Sequence, residues 1–443
     1  MSPALKAEGI LAIRRRIGIE VIQDAFIFCI CFTAWVPFSI NIVGLNLRLS
    51  QLILPIVSMA AVAGLEWQRV PLRFVTLGCA AALWWVTLLY WTANRMADSH
   101  AIGRVFLMGL NIAQAGSLAL LVWRGRKLTA AIRAFIFSVA VFNALLLAIT
   151  LGISFGLHVP SSWVALEMDP TLIDGALVGR LVPRFVFGGV LAGCISAAAI
   201  VMALCLALEN RTASPRMLRV QMVLCGIGVV LGFSRQALVS LVAGLFIAAL
   251  GLIFGGRVKL VLKATFWGAL LSAFAVAIMD VAPGGKILLQ AFEGRAVLLF
   301  EKTSYSHGTV LERAITWNFM WNDITNSPWT GNGQDAYLKY MRTAEDAGSH
   351  NFPLEVMHSS GLVGFVGYLL LHGLIGIWSL LKVISLRKRL EEQLDVLGLL
   401  GAFVAVTLAS FTNLIYWNPT YWAVLGLLIA AVAPVATRSK YDI

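Results

Sequence analysis

Three basic side chains stand where a membrane-spanning chain has little reason to place them. Arg235 lies in the polar break Ser234-Arg235-Gln236, between two apolar runs that are each long enough to span a bilayer. His350, between Ser349 and Asn351, marks the point where a long polar stretch meets another apolar run. Arg313 precedes Trp317 by four residues, so a helix would put guanidinium and indole on one face. A guanidinium offers a phosphate two parallel hydrogen bonds. An imidazole, with an ordinary pKa of about 6.5, can take a proton from a hydroxyl near neutral pH. An ionisable group in or at the edge of a membrane segment is a functional candidate by default. The set points to work on an anionic, membrane-anchored substrate.

Each residue also has a plainer reading. Arg235 could snorkel to lipid headgroups, although the turn that holds it is short. His350 could be an ordinary interfacial residue; as a catalyst it would be a general base, with Glu355 orienting it or favouring its charged form. Asn351 could bond a sugar or cap the following helix, with Pro353 tolerated in the first turn. Arg313 could be a solvated charge beside an interfacial Trp317, or could bind phosphate while the indole stacks on a sugar ring. Arg180 and Arg184 could gather further phosphate charge or touch headgroups.

No metal site is expected. The outer segment near Ile40 to Arg48 has no Asp or Glu, Glu345-Asp346 is the only adjacent acidic pair in an outer segment and has no third acid beside it, and no His/Cys spacing suits zinc. Gly331-Asn332-Gly333 does not match a phosphate-binding P-loop. If the chain transfers a group, arginines must do what a divalent cation would do elsewhere. The six cysteines fall within apolar runs and suggest packing rather than a disulfide framework.

The elements that must position these residues are membrane helices. The 443 residues are 59% apolar and 13% charged, with mean hydropathy +0.85; soluble domains carry about 25% charged residues. The reading is an all-α, polytopic membrane protein: one integral membrane domain over residues 1–443, with no separate soluble domain. Twelve helices fit, near 18–40, 50–65, 72–92, 102–123, 131–155, 183–208, 217–234, 236–255, 259–281, 354–382, 393–412 and 419–436. The polar, basic N-terminus reads as a retained cytoplasmic tail, with the first helix as its own insertion signal.

With both termini inside, 22 of the 34 basic residues fall in inside segments, and every inside loop holds at least two. The net charge of +12 is therefore a topology signal, not a nucleic-acid one. Two outer segments are long, 156–182 and 282–353. The second, between helices nine and ten, is too long for a bare connector. Helices are expected within it at 310–325 and 334–347, a turn at Thr330-Gly331-Asn332-Gly333, and an interfacial stretch at Lys286 to Lys302. The chemistry is expected on the outer face.

Three motifs, in order, carry a resemblance: Gly232-Phe-Ser-Arg235-Gln-Ala-Leu; Arg313-x-x-x-Trp317 followed by Ser327-Pro328-Trp-Thr-Gly331-Asn-Gly333; and Ser349-His350-Asn351-Phe-Pro-Leu354-Glu355 leading to Gly361-Leu-Val-Gly364. Over residues of about 180 to 370 the chain resembles the O-antigen ligase/polymerase family of bacterial polysaccharide assembly. The resemblance implies a glycan donor on undecaprenyl diphosphate, at the periplasmic side of the inner membrane. The acceptor would be a sugar hydroxyl of lipid A-core in the ligase branch, or a second lipid-linked glycan in the polymerase branch. It implies that His350 deprotonates or orients the acceptor, that Arg235 and Arg313 hold the diphosphate, and that displacement inverts the anomeric carbon without metal, nucleotide or other cofactor. The segment Arg180-Leu-Val-Pro-Arg184 lacks the Pro-Asn pattern of many members. Protein-glycosylating relatives often carry an added soluble C-terminal region that is not expected here. A flippase for lipid-linked glycan is the reading from another class, but no internal repeat supports it.

Overall fold

A computed structural model describes residues 21–34, 39–42, 45–63, 70–95, 99–154, 164–173, 176–183, 189–208, 215–231, 235–266, 304–340, 351–411 and 418–434. Of these, 39–46, 150–154, 164–173, 176–183, 189–190, 231, 235, 304–313 and 339–340 are described by their backbone alone. The helices are α1 (Val21–Thr33), α2 (Leu49–Val62), α3 (Leu72–Arg95), α4 (Ser99–Gly125), α5 (Leu128–Ser154), α6 (Gly189–Leu208), α7 (Pro215–Leu231), α8 (Arg235–Phe254), α9 (258–266), α10 (Ser304–Asn326), α11 (Phe352–Ser385), α12 (Leu390–Ser410) and α13 (Pro419–Val432). Among the described residues, seven helices are long and apolar enough to cross a membrane, and α1, α2 and α13 are shorter apolar helices. The chain is a helical, polytopic membrane protein.

Packing follows from where small residues fall. Helices α12 and α13 are buried almost all round, and α12 lies between α6 and α8. Within a bilayer, lipid competes with apolar side chains for contact, so close backbone approach through small residues does much of the joining. A Cβ on Gly244 would stand 2.8 Å from the carbonyl oxygen of Gly401, and one on Gly401 would stand 2.7 Å from that of Gly244. On α13, a Cβ at Gly426 would come within 2.6 Å of the Ala115 carbonyl of α4.

Basic residues from segments far apart in sequence gather at one end of the bundle. Arg73 donates to the Val432 carbonyl at 2.6 Å and lies 5.3 Å from the Trp378 ring. Arg124 donates to the Ala63 carbonyl at 2.6 Å. Arg126, Lys382 and Arg389 line a single cavity with Glu392 and Asp395. Cations at helix C-termini satisfy carbonyls that the helix itself leaves open.

Several boundaries differ from expectation. Two antiparallel hairpins interrupt the helical pattern: β1 (Ser39–Ile42) with β2 (Leu45–Arg48), and β3 (Val164–Ile173) with β4 (Ala176–Pro183). The sixth helix begins at Gly189 rather than 183, because residues 176–183 are spent on β4. Most of the expected ninth span, and the interfacial stretch at 286–302, lie outside the described residues. Within the 282–353 segment, helix α10 covers the expected 310–325. The expected 334–347 helix is described only as a 3-10 turn at Ala336–Tyr340, with residues beyond it outside the description.

Candidate active site

Helix α11 has 34 residues, which would be about 51 Å if straight. It is not straight. At Gly361 the backbone takes φ 68° and ψ −177°, a region open essentially to glycine. Phe352 and Tyr368 are 16 positions apart, about 24 Å along a straight helix, yet their ring centroids are 5.1 Å apart. Residues 352–360 therefore fold back beside the stretch that follows Gly361. Trp84 of α3 receives both, at 5.8 Å from Phe352 and 5.4 Å from Tyr368. This corrects the expectation of one plain span starting at the bundle surface. The start of α11 is packed at the level of Trp84, eleven residues or about 16 Å from the Arg95 end of α3.

A reversal breaks the helical hydrogen-bond ladder, and inside a membrane protein the freed groups need partners. The Ser327-Pro328-Trp-Thr-Gly331-Asn-Gly333 segment supplies them. Asn332 N donates to the His358 carbonyl at 2.9 Å, Gly333 N to the Ser359 carbonyl at 3.0 Å, and Leu362 N to the Pro328 carbonyl at 2.9 Å. Glycines are needed for that approach: a Cβ on Gly361 would stand 2.7 Å from the Trp329 oxygen and 2.9 Å from Gly331 N. The two motifs, nearly thirty residues apart, are the two halves of one joint.

Polar side chains tie the joint to its surroundings. Arg104 of α4 pairs with Asp335 at 2.9 Å. Gln334 Nε2 donates to Asp335 at 2.9 Å and to Glu355 at 3.3 Å, while Gln334 N donates to the Thr92 hydroxyl at 2.9 Å. His358 Nε2 is 3.0 Å from Asp323 Oδ2 of α10. Helices α3, α4, α10 and α11 are thereby connected through one short loop.

Of the expected site residues, Asn351 and Glu355 belong to this joint. Asn351 caps α11: its side-chain oxygen accepts from Leu354 N at 3.3 Å, so the capping alternative holds. Glu355 is 1% exposed and engages Gln334, which makes it part of the joint. Trp317 is half-buried on α10, beside the buried Thr316, one turn before the buried Met320 and two turns before Ile324. Helical spacing puts position 313 on that same stripe. Arg235 is the first residue of α8. Helices α8 and α12 run antiparallel, with Gly251 against Leu397 and Gly255 against Gln393. The Arg235 end therefore stands at the Ser410 end of α12, from which the chain passes to α13. Arg180 lies in β4 with Glu167 as its cross-strand partner, not in the turn that opens α6. His350 and Arg184 lie outside the described residues.

Sequence reasoning missed Arg104, Asp335, Gln334, Thr92, His358 and Asp323. None carries a spacing signature, because their partners come from four helices. Only the glycines at 331, 333 and 361 gave a legible hint.

The family model described as O-antigen ligase matches residues 220–369. That third of the chain, which is similar to O-antigen ligases, contains Arg235, Arg313, Trp317, His350, Asn351, Glu355 and the Gly361 joint. No curated protein matches the chain.

Proposed function

We propose that the chain is an inverting glycosyltransferase of the O-antigen ligase type. It would move O-antigen polysaccharide from undecaprenyl diphosphate to a sugar hydroxyl of lipid A-core, completing lipopolysaccharide at the periplasmic face of the bacterial inner membrane. Both termini are then cytoplasmic, and the 282–353 segment is periplasmic. The observation that supports this reading is that the O-antigen ligase match over residues 220–369 spans Arg235, Arg313 and His350 together with the Gly361 joint.

The chemistry needs few parts. The acceptor oxygen attacks the anomeric carbon from the face opposite the diphosphate. One C–O bond forms as the other breaks, so the configuration inverts. The acceptor proton passes to His350, and the electron pair leaves on undecaprenyl diphosphate. Arg235 and Arg313 neutralise the departing oxygens, and the donor's own phosphoester bond supplies the activation. A positioned general base contributes about 10²–10⁴-fold, and each charge-stabilising donor about 10²–10³-fold. Arg180, Arg184 and Trp317 would hold the glycan and its phosphates, while Asn351 and Glu355 set the entry to α11.

The polymerase reaction, joining two lipid-linked repeat units, is the second reading, because the family match covers both branches. Purified protein in vesicles, given lipid-linked glycan and rough lipopolysaccharide, separates them. Glycan on lipid A-core with release of undecaprenyl diphosphate is the expected result. Chain lengthening without lipopolysaccharide would replace ligase by polymerase. Movement of intact lipid-linked glycan without release would mean a flippase.

A further inference from the structure

Two helix N-termini meet in the bundle interior beside Trp84. The folded-back stretch of α11 runs from Phe352, which touches Trp84, to the Gly361 turn, whose loop partner Gly331 lies against Trp91. Helix α13 runs the other way along α3. Its Trp422 stacks on Trp84 with centroids 6.1 Å apart, and its last residue, Val432, accepts from Arg73. The two helices thus point away from each other, and their starts face the same place.

A helix N-terminus carries about half a positive charge. Two of them at one buried position favour an anion. Glu355 lies in the first turn of α11, where its carboxylate engages Gln334; the first turn of α13 has no acidic residue. Capping uses up backbone donors. The Asn418 side-chain oxygen accepts from Thr420 N at 2.9 Å and from the Thr420 hydroxyl at 2.7 Å, and Pro419 has no N–H to give. Two side-chain donors remain without an acceptor, Asn418 Nδ2 and Trp84 Nε1. Both residues are 1% exposed. An amide nitrogen shares the plane of its capping oxygen, so Asn418 Nδ2 lies at the mouth of α13. A buried unsatisfied donor costs about 1–3 kcal/mol, which an acceptor-only ligand would recover.

We propose that this junction seats a diphosphate, with Asn418 Nδ2 and Trp84 Nε1 donating to its non-bridging oxygens under the field of the two helix starts. The inference rests on the reading of the chain as a transferase that uses a diphosphate-linked donor. It adds two binding residues that lie outside the family-matched span.

Asn418→Asp keeps the capping oxygen, removes the amide donor and adds a negative charge. Asn418→Ser keeps a cap without the charge, and Trp84→Phe keeps an aromatic ring without the donor. Binding of undecaprenyl diphosphate and of inorganic pyrophosphate to the full-length protein in detergent is measured, with undecaprenol as the neutral control. Loss of one hydrogen bond to a charged group corresponds to about tenfold in affinity or more. Trp84→Phe and Asn418→Ser should each weaken both diphosphates by about tenfold, and Asn418→Asp by more because it also adds a negative charge, while undecaprenol binding stays constant. Trp84 packs on Phe352, Tyr368 and Trp422, so Trp84→Phe should lower the unliganded melting midpoint, and Asn418→Ser, which keeps a cap and adds no charge, carries the binding test at a midpoint closer to wild type. Wild-type affinity in Asn418→Ser and Trp84→Phe, with binding lost in Arg235→Gln, would overturn this seat and leave the transferase reading standing. A wild-type protein that binds neither diphosphate would overturn both.

Discussion

Replacing Gly361 by alanine tests the joint on which the site is built. The residue sits at φ 68° and ψ −177°, where a Cβ costs about 1–3 kcal/mol in backbone strain. The new methyl would also stand 2.7 Å from the Trp329 oxygen, 2.9 Å from Gly331 N and 2.9 Å from the Thr330 carbonyl carbon. All three are backbone atoms, so no side chain can rotate away. Relief requires the 328–333 loop to retreat, which gives up the bonds from Asn332 to His358, Gly333 to Ser359 and Leu362 to Pro328, at about 0.5–1.5 kcal/mol each. The sum is about 3–7 kcal/mol, comparable to the whole stability of many domains. Gly373→Ala is the control, since it lies on the same helix with nothing within 4 Å of its added Cβ, and alanine improves helix propensity by up to about 1 kcal/mol. The assay is the midpoint of thermal aggregation in detergent, followed by glycan transfer in vesicles. Gly361→Ala should lower the midpoint sharply and abolish transfer, whereas Gly373→Ala should do neither. An unchanged midpoint with normal transfer in Gly361→Ala would refute the reversal and everything placed by it.

Asp335→Ala should destabilise the protein by about 1–3 kcal/mol, because Arg104 and Gln334 both lose an acceptor; the Arg104→Met/Asp335→Leu double variant should recover part of this in a melting comparison. Gly244→Leu should disrupt the α8–α12 contact and reduce the yield of folded protein in size-exclusion profiles, since the Gly401 carbonyl is already 2.8 Å from where its Cβ would be. Arg235→Gln and Arg313→Gln should each lower transfer about 10²–10³-fold with normal insertion; near-normal turnover in the double variant would count against the assignment of both. Asn351→Ala should cost about 1 kcal/mol through loss of the α11 cap, read as a lowered melting midpoint, while Asn351→Asp should retain it.

Hydropathy made the helices legible because each span satisfies its own backbone and announces its apolar length residue by residue. Asn351 was legible as a cap for the same reason: the signal is local. The reversal at Gly361 was not, because residues 352–385 read as one predominantly apolar run despite Glu355 and His358, and a window of hydropathy has no sense of direction. The expected span, 354–382, would be about 43 Å long if straight, for a membrane core of about 30 Å. The Arg104–Asp335 pair was invisible because it joins residues 231 positions apart. The hairpins at 39–48 and 164–183 escaped because each lies in a segment that reads simply as a connector between apolar runs. Position 180 was expected beside a helix start and instead belongs to a strand, as the chain needs those residues for β4 before α6 can begin.

The fold-back of residues 352–360 bears on how such a chain enters the bilayer during synthesis. A segment that dips in and returns on the same side adds no net crossing, so the sidedness of everything after it is preserved. That short stretch cannot be retained by an insertion machine as a span of its own. It has to wait for residues 362–385 to be emplaced and for α3 to offer Trp84. Its lodging is then a late step of maturation, and substitutions that loosen it would leave a protein correctly oriented, fully inserted and inert.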